Sequence, residues 1–357
     1  MQRRILATVV CLTAAGAWCA VTMTAGTAVT RPTDPRSLSG ITYAGGNTYY
    51  AVADDNGPEG GLYAYTVILS ADGKSVTGQS ISTNAVIKLP NACDLEGVAF
   101  DPSSGNVWAV DETRETIKEY DPRTGAVVSE LEVPAIIRNY NVGNYGMESL
   151  AISGDGLTMW TANEEALTCD GSRASPTNTT TVRLVKFVRE TVRDRFRLAA
   201  MYPYTTDKLL HDTCSSCRHG VADLVALPDE SLLVLERDYS SWGVLPDDFA
   251  YSIYRVTPAD LAAATEIKDV PSLKTAVWTA VKKTKIAENI NLKFVNYEGL
   301  CLGPRLANGG VSLLLVSDAG DGNTCSMILP FVLTGLDIRT LDFPAPASGD
   351  TASVTAE

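Results

Sequence analysis

Histidine is almost absent from this sequence: His211 and His219 are the only two in 357 residues. A Ser-His-Asp triad therefore has almost nothing to draw on. The chain also lacks a Gly-x-Ser-x-Gly elbow, a His-Glu-x-x-His helix, a phosphate-cradling Gly-x4-Gly-Lys-[Ser/Thr] loop and the glycine pattern of a dinucleotide fold. Cationic side chains are in the minority, 29 against 42 acids, for a formal net charge of -13. That balance excludes a general nucleic-acid binder, which needs Lys/Arg footprints on phosphate, and points to cations or cationic partners. Beyond the N-terminal segment no apolar run is long enough to span a bilayer.

The N-terminus does carry a signal. Arg3 and Arg4, the apolar stretch Ile5 to Ala20 and the small residues after it read as a signal peptide over residues 1–28, cleaved after Ala20 or near Ala28. The stretch is short for a membrane anchor, and Trp18 is a poor residue before a lipidated Cys19. The expectation is a secreted (periplasmic or extracellular) monomer, with no stable membrane insertion once the leader is gone. Six cysteines remain, namely Cys93, Cys169, Cys214, Cys217, Cys301 and Cys325. An even number in an exported chain suits up to three disulfides. Cys301 and Cys325 share one repeat and form one expected pair. His211, Cys214, Cys217 and His219 spell His-x2-Cys-x2-Cys-x-His, which reads as a Cys214–Cys217 disulfide or, less favoured in an exported chain, a zinc site.

What the chain has in abundance is repetition. Leu38-Ser39-Gly40-Ile41, Leu95-Glu96-Gly97-Val98, Met147-Glu148-Ser149-Leu150, Val221-Ala222-Asp223-Leu224 and Tyr297-Glu298-Gly299-Leu300 each open a short β-like run. A polar turn follows, then a second apolar strand that ends in acids: Asp54-Asp55, Asp111-Glu112, Asn163-Glu164, Glu236-Arg237 and Ser317-Asp318. Most units continue into a third strand. Strand–turn–strand units at such spacing predict an all-β chain folded as a single β-propeller of five blades, with a sixth possible between Asp260 and Asn296. A β-sandwich does not account for the two-part signature. The propeller is expected over 37–343, with Phe331 to Phe343 supplying a closing strand and 344–357 a disordered tail. Thr168 to Thr181 reads as an exposed loop carrying the sequon Asn178-Thr179-Thr180. Pro258 to Ala264 is helix-like.

Stacking the repeats aligns Ser39, Glu96, Glu148, Ala222 and Glu298 in one ring. Asp54, Asp111, Asn163, Glu236 and Ser317 fall in a second, and Asp55, Glu112, Glu164, Arg237 and Asp318 in a third. Carboxylates that converge repel unless a cation or protons neutralise them. Hard oxygen donors from several directions suit Ca²⁺. Glu96, Glu148, Glu298, Asp111, Glu112 and Asp318 are the candidate calcium ligands. Glu148, Glu164, Glu236 and Arg237 are the candidate catalytic residues, working with a metal and bound water. Arg237, the lone cation of the pattern, either grips an anionic substrate group through its fork or neutralises neighbouring acids.

Asp94 to Phe100 (DLEGVAF), Asn144 to Ala151 (NYGMESLA), Leu232 to Asp238 (LLVLERD) and Asn296 to Leu300 with Leu313 to Asp318 (LLLVSD) together resemble the phytase-like family, "esterase-like activity of phytase". The resemblance runs from about Leu38 to Leu336. It implies an exported propeller and phosphate-ester hydrolysis. Calcium-dependent propeller phytases hold phosphate with several Lys and Arg in an acidic, calcium-filled cleft. Here Arg237 stands alone at the repeated positions, a departure that tells against inositol hexakisphosphate as substrate. Three readings follow: a Ca²⁺-assisted phosphoesterase acting on a small anionic or ester substrate, a gluconolactonase-type hydrolase, and a non-enzymatic calcium-stabilised binding propeller.

Overall fold

A computed structural model describes residues 21–32, 35, 37–54, 60–82, 86–210, 214–243, 247–319 and 325–336. Residues 1–20 of the signal peptide expected over 1–28, Asp55, His211 and the tail expected over 344–357 lie outside these residues.

The described residues form a five-bladed β-propeller. Blade 1 comprises Leu38–Gly45, Thr48–Ala53, Gly60–Leu69 and Val76–Ile81, with Ile87–Leu89 added against Gly60–Leu69. Blade 2 comprises Leu95–Phe100, Val107–Asp111, Thr116–Tyr120 and Val127–Leu131. Blade 3 comprises Ala151–Ile152, Thr158–Ala162, Thr181–Val188 and Arg197–Thr205. Blade 4 comprises Ser216–Ala226, Leu232–Ser241, Asp248–Val256 and Thr284–Lys293. Blade 5 comprises Asn296–Arg305, Val311–Asp318 and Met327–Thr334. Its outer strand is Thr22–Ala25 from the other end of the chain, antiparallel to Met327–Thr334. The closing strand is thus N-terminal, and the segment from Phe331 that was expected to close the ring belongs to the third strand of blade 5.

The first strands of the five blades touch one another in a closed ring around a channel. Sheets buried on both faces need near-continuous apolar runs, and Val107–Asp111 (VWAVD) and Leu313 to Val316 supply them. The core is divided among the blade junctions. Val52 and Leu62 meet Val107 and Ala109 between blades 1 and 2, Trp108 and Val110 meet Val185 and Phe187 between 2 and 3, and Leu184 meets Val234 between 3 and 4. Leu235 and Ile253 meet Leu313 and Phe331 between 4 and 5, and Val316 and Ile328 meet Tyr49 and Ala51 between 5 and 1. Each fully buried side chain of this size contributes about 1.5–3 kcal/mol.

No sixth blade lies between Asp260 and Asn296. The capped helix Pro258–Ala263 is followed by a strap that hydrogen-bonds along the outer edge of blade 3, Ile267 N–H to Met201 O and Val281 N–H to Pro203 O, and covers an otherwise open edge. Buried Arg183 fixes the strap through Asp170 and the carbonyls of Ile267 and Val270. The loop over 168–181, expected to be exposed, is therefore anchored at Asp170, Ala174 and Thr180, which are buried, while Asn178 is exposed.

Every first strand carries one extra residue relative to its partner. The pairing skips between Leu38 and Gly40, Leu95 and Val98, Val221 and Asp223, and Tyr297 and Gly299, and between the Met147–Asn163 bridge and Ala151–Trp160. A bulge of this kind bends the strand and re-aims a side chain. The extra residues fall at Ser39, Glu96, Glu148, Ala222 and Glu298. Just below them the strands crowd together. A Cβ at Gly97 would stand 2.6 Å from the Ser149 carbonyl carbon. In blade 4 the same place is taken by Asp223, buried across the axis, which accepts N–H groups from Leu224 at 2.8 Å and Leu300 at 2.7 Å.

Candidate functional site

Two cavities open from the channel, one at each end. The cavity below the crowded level is apolar, lined from all five blades by residues such as Ile41, Phe100, Ile152, Val225 and Leu302. The carboxylates surround the other, of about 290 Å³, to which Asp54, Glu96, Glu148, Glu164, Arg237, Glu298 and Asp318 all contribute. Asn144, Tyr145, Ser216, Arg218, Tyr239, Phe249 and Asn296 complete its wall.

The register corrects the second and third rings read from the repeats. Leu38 pairs with Ala53, whereas Leu95 pairs with Asp111, Val221 with Glu236 and Tyr297 with Ser317. Asp54 therefore belongs with Glu112, Glu164, Arg237 and Asp318, one residue later than the repeats suggested. Neighbouring residues of a strand face opposite ways. Asp54, Glu164, Arg237 and Asp318 of that set line the cavity, and the Asp111 set turns toward the blade interfaces.

Asp111 accordingly accepts the N–H groups of Cys93 and Arg114, both at 2.9 Å, and pairs with the Arg114 guanidinium at 3.0 Å. Glu236 is wholly buried away from the cavity. It accepts Tyr204 Oη at 2.6 Å and Asp207 N–H at 2.9 Å, and pairs with Lys283 at 2.5 Å and His219 Nε2 at 2.9 Å. Neither carboxylate borders the cavity. The His219 ring is spent on Glu236 and Asp238, and Cys214 is bonded to Cys217, so those three residues do not form the zinc set. Cys301 and Cys325 are free rather than paired. Cys301 lines the apolar cavity, while Cys325 is exposed with its N–H on Phe294 O.

The remaining candidates converge. Carboxylate oxygens of Asp94, Glu96 and Glu112 lie within 4.8 Å of one another. Glu112 is 1% exposed; Oε1 accepts Gly146 N–H at 2.6 Å, and Oε2 is buried with no hydrogen-bond partner among the described residues. Across the cavity Arg237 Nη2 lies 2.5 Å from Glu164 Oε1, and Nη1 lies 2.9 Å from Glu298 Oε1. Asn296 donates to Glu298 at 2.8 Å and reaches Asp318 at 3.5 Å. Arg218 grips Glu165 with both contacts at 3.0 Å and stacks on Tyr145 at 3.8 Å. Glu148 faces the cavity between these groups.

Burial, reinforced by Glu298, Glu112, Asp54 and Asp94, raises Glu96 well above the ordinary carboxylate range. Burial and Glu96, Glu164, Glu112 and Glu298 do the same to Glu148. Glu112 is pushed up to about 8 by burial, partly offset by the Gly146 N–H. Glu298 also reaches about 8, burial outweighing Arg237. Such a set holds protons near neutrality or binds a cation.

Sequence reasoning missed Asp94 and Asn296 as site residues. Both stand immediately before the opening residue of their repeat, Leu95 and Tyr297, and that shared place was the available signal.

A family model described as Phytase-like, "Esterase-like activity of phytase", matches residues 35–319. No curated protein matches the sequence. Among solved structures, the periplasmic gluconolactonase of Pseudomonas aeruginosa is similar at 11% identity and a TM-score of 0.38, over 85% of this chain and 90% of that one. An auxiliary nutrient binding protein of Bacteroides thetaiotaomicron is similar at 10% identity and 0.37, over 87% and 76%. At such scores neither likeness bears on chemistry.

Proposed function

The chain belongs to the phytase-like family, and from that premise we propose that it is an exported hydrolase of phosphoric esters that works with one divalent cation, Ca²⁺, at the acidic mouth of the channel. The observation that carries this reading is the approach of carboxylate oxygens of Asp94, Glu96 and Glu112, together with the buried Glu112 Oε2, which has no hydrogen-bond partner among the described residues. A buried charged oxygen without a partner is costly, and an oxygen-only donor set is what a hard cation takes. These three residues would hold the ion, which when bound supplies charge neutralisation and Lewis acidity toward a substrate oxygen.

The chain's own residues do the rest. Glu148, whose N–H donates to Ala162 O but whose carboxylate has no hydrogen-bond partner among the described residues, is the proton carrier, taking a proton from water or giving one to the leaving oxygen. Burial and the neighbouring carboxylates raise its pKa well above the ordinary carboxylate value, which favours its holding a proton. Arg237, Asn296, Glu164 and Glu298 brace one another into a fixed wall. Tyr145, Tyr239 and Phe249 offer ring faces to the non-reacting part of the substrate. Glu236 and Asp111 have no part in this reading. Export is supported by the leader sequence and by the Cys214–Cys217 disulfide. No helix among the described residues is long and apolar enough to cross a membrane.

One observation favours a second substrate class. The arginines of the cavity wall, Arg218 and Arg237, are both already paired with glutamates. A neutral ester or lactone needs no free cation, whereas a phosphate dianion does.

The test is a panel of phosphomonoesters and lactones with chelator and with Ca²⁺. Turnover should require the ion, and Glu148→Gln should lower kcat by about 10²–10⁴-fold. Glu112→Gln should weaken Ca²⁺ binding with the fold intact. Ion binding with every ester left whole would instead support the binding propeller. No ion bound and no ester cleaved would defeat the proposal.

A further inference from the structure

Blade 4 breaks the pattern of the other blades twice. Where blades 2, 3 and 5 place Glu96, Glu148 and Glu298 on the bulge of the first strand, blade 4 has Ala222. Where blades 1, 2, 3 and 5 end the second strand with Asp54, Glu112, Glu164 and Asp318, blade 4 has Arg237. Two acids are thus replaced, one by a methyl group and the other by a guanidinium that extends into the space between the blade 3 and blade 5 carboxylates.

The guanidinium is committed there. One nitrogen pairs with Glu164 at 2.5 Å, the other with Glu298 at 2.9 Å and, more weakly, with Asn296 Oδ1 at 3.4 Å. Its side chain is only 16% exposed. A planar, permanently charged fork held by two carboxylates on opposite sides resembles, in charge and bridging role, a cation coordinated between them. On the blade 2 side no cation among the described residues pairs with Asp94, Glu96 or Glu112, and Glu112 Oε2 has no partner among them.

We propose that Arg237 is a built-in counter-cation that fills the blade 3–blade 5 half of the cavity in place of a second divalent ion, so that the site takes a single ion on the blade 2 carboxylates. This rests on the metal-dependent reading above. It has a chemical consequence. A paired metal centre clamps both the attacking and the leaving oxygen of a displacement. A guanidinium offers hydrogen bonds but no coordination position, so the reaction must run with one Lewis-acidic site and a protein proton carrier. Substrates with several clustered phosphates, which need several cations, are disfavoured.

The experiment counts bound Ca²⁺ by native mass spectrometry and calorimetry, with CaCl₂ alone as the probe, and follows thermal unfolding with and without it. The wild-type chain should bind one ion and R237Q two. The second ion should disappear in R237Q/E298Q, and R237K should keep one. R237Q should unfold at lower temperature than wild type in chelator and gain more from Ca²⁺; folding only in the presence of Ca²⁺ is the extreme form of the same result. If R237Q binds the same number of ions as wild type and responds no more strongly, the counter-cation is refuted. Two ions on wild type also refute it and leave the metal reading standing. No ion on wild type but one on R237Q supports the counter-cation and removes the metal reading. No ion on either removes both. Should R237Q not fold in any ion, R237K decides, since a second ion beside the lysine refutes the proposal and a single ion upholds it.

Discussion

His219 is a buried titratable residue outside the channel. Its ring lies between two buried acids, Nε2 at 2.9 Å from Glu236 and Nδ1 at 3.2 Å from Asp238. Burial works against the imidazolium, but the hydrogen bonds to Asp238 and Glu236 outweigh it and lift the pKa from 6.5 to about 9. Because the folded value lies above the unfolded one, the stability this ring contributes is complete below pH 6.5 and is lost as pH rises through about 9. His219→Gln leaves Glu236 and Asp238 short of a positive partner and should cost about 3–5 kcal/mol at pH 6, read from denaturant unfolding. The difference should shrink toward pH 10, and equal stability of the two proteins at pH 6 would count against the assignment. The sequence showed Glu236 and Arg237 as adjacent candidates of equal standing. Side-chain alternation separates them, sending Glu236 to the blade 3–4 interface and Arg237 to the cavity. Composition alone could not decide which of two neighbouring polar residues faces inward.

At the scale of the strand, the repeated openings were legible because each sits on a bulge that bends the first strand of its blade. Glu96, Glu148 and Glu298 were therefore placed together correctly. The ends of the second strands were harder. Asp54 and Asp55 offer two acids where one position matters, and without the pairing of Leu38 with Ala53 nothing in the sequence says which is which. The closing strand was illegible for a different reason. Thr22–Ala25 is short, mostly exposed and inside the segment 1–28 that reads as a signal peptide, so its only strand signal is its partner Met327–Thr334. It is nevertheless firmly tied. Val29–Thr30 also pairs with Met327–Thr334, and Thr27 N–H donates to Lys74 O in blade 1. Buried Arg31 reaches Ser317 O at 2.7 Å. A chain starting at Pro32 should therefore lose on the order of 2–4 kcal/mol relative to one starting at Val21. Thermal unfolding of the two, under identical Ca²⁺, measures this, and coincident curves would contradict it.

For the molecule as a whole, the channel mouth concentrates a burden that depends on pH. Glu112 and Glu298 move from an ordinary 4.5 to about 8, chiefly through burial. A carboxylate whose folded pKa is raised contributes stability that is complete below its unfolded value and is lost as pH climbs to the folded one. In chelator the melting temperature should fall between pH 5 and 8. On the proposed reading Ca²⁺ would bind only the folded, ionised set and should lift the upper end of that range most, so that the two melting curves diverge as pH rises. A separation that stays constant across the range would argue that the ion, if bound, sits elsewhere. The ring is shut by Met23 lying opposite Leu333, and this has a consequence for how the protein is made. Thr22–Ala25 leaves the ribosome about 300 residues before its partner Met327–Thr334. Inner hairpins can form as they emerge, but the circle stays open until that partner is made and closes over a long sequence separation, a slow, long-range step. Both ends must reach the same side of any membrane before that step is possible.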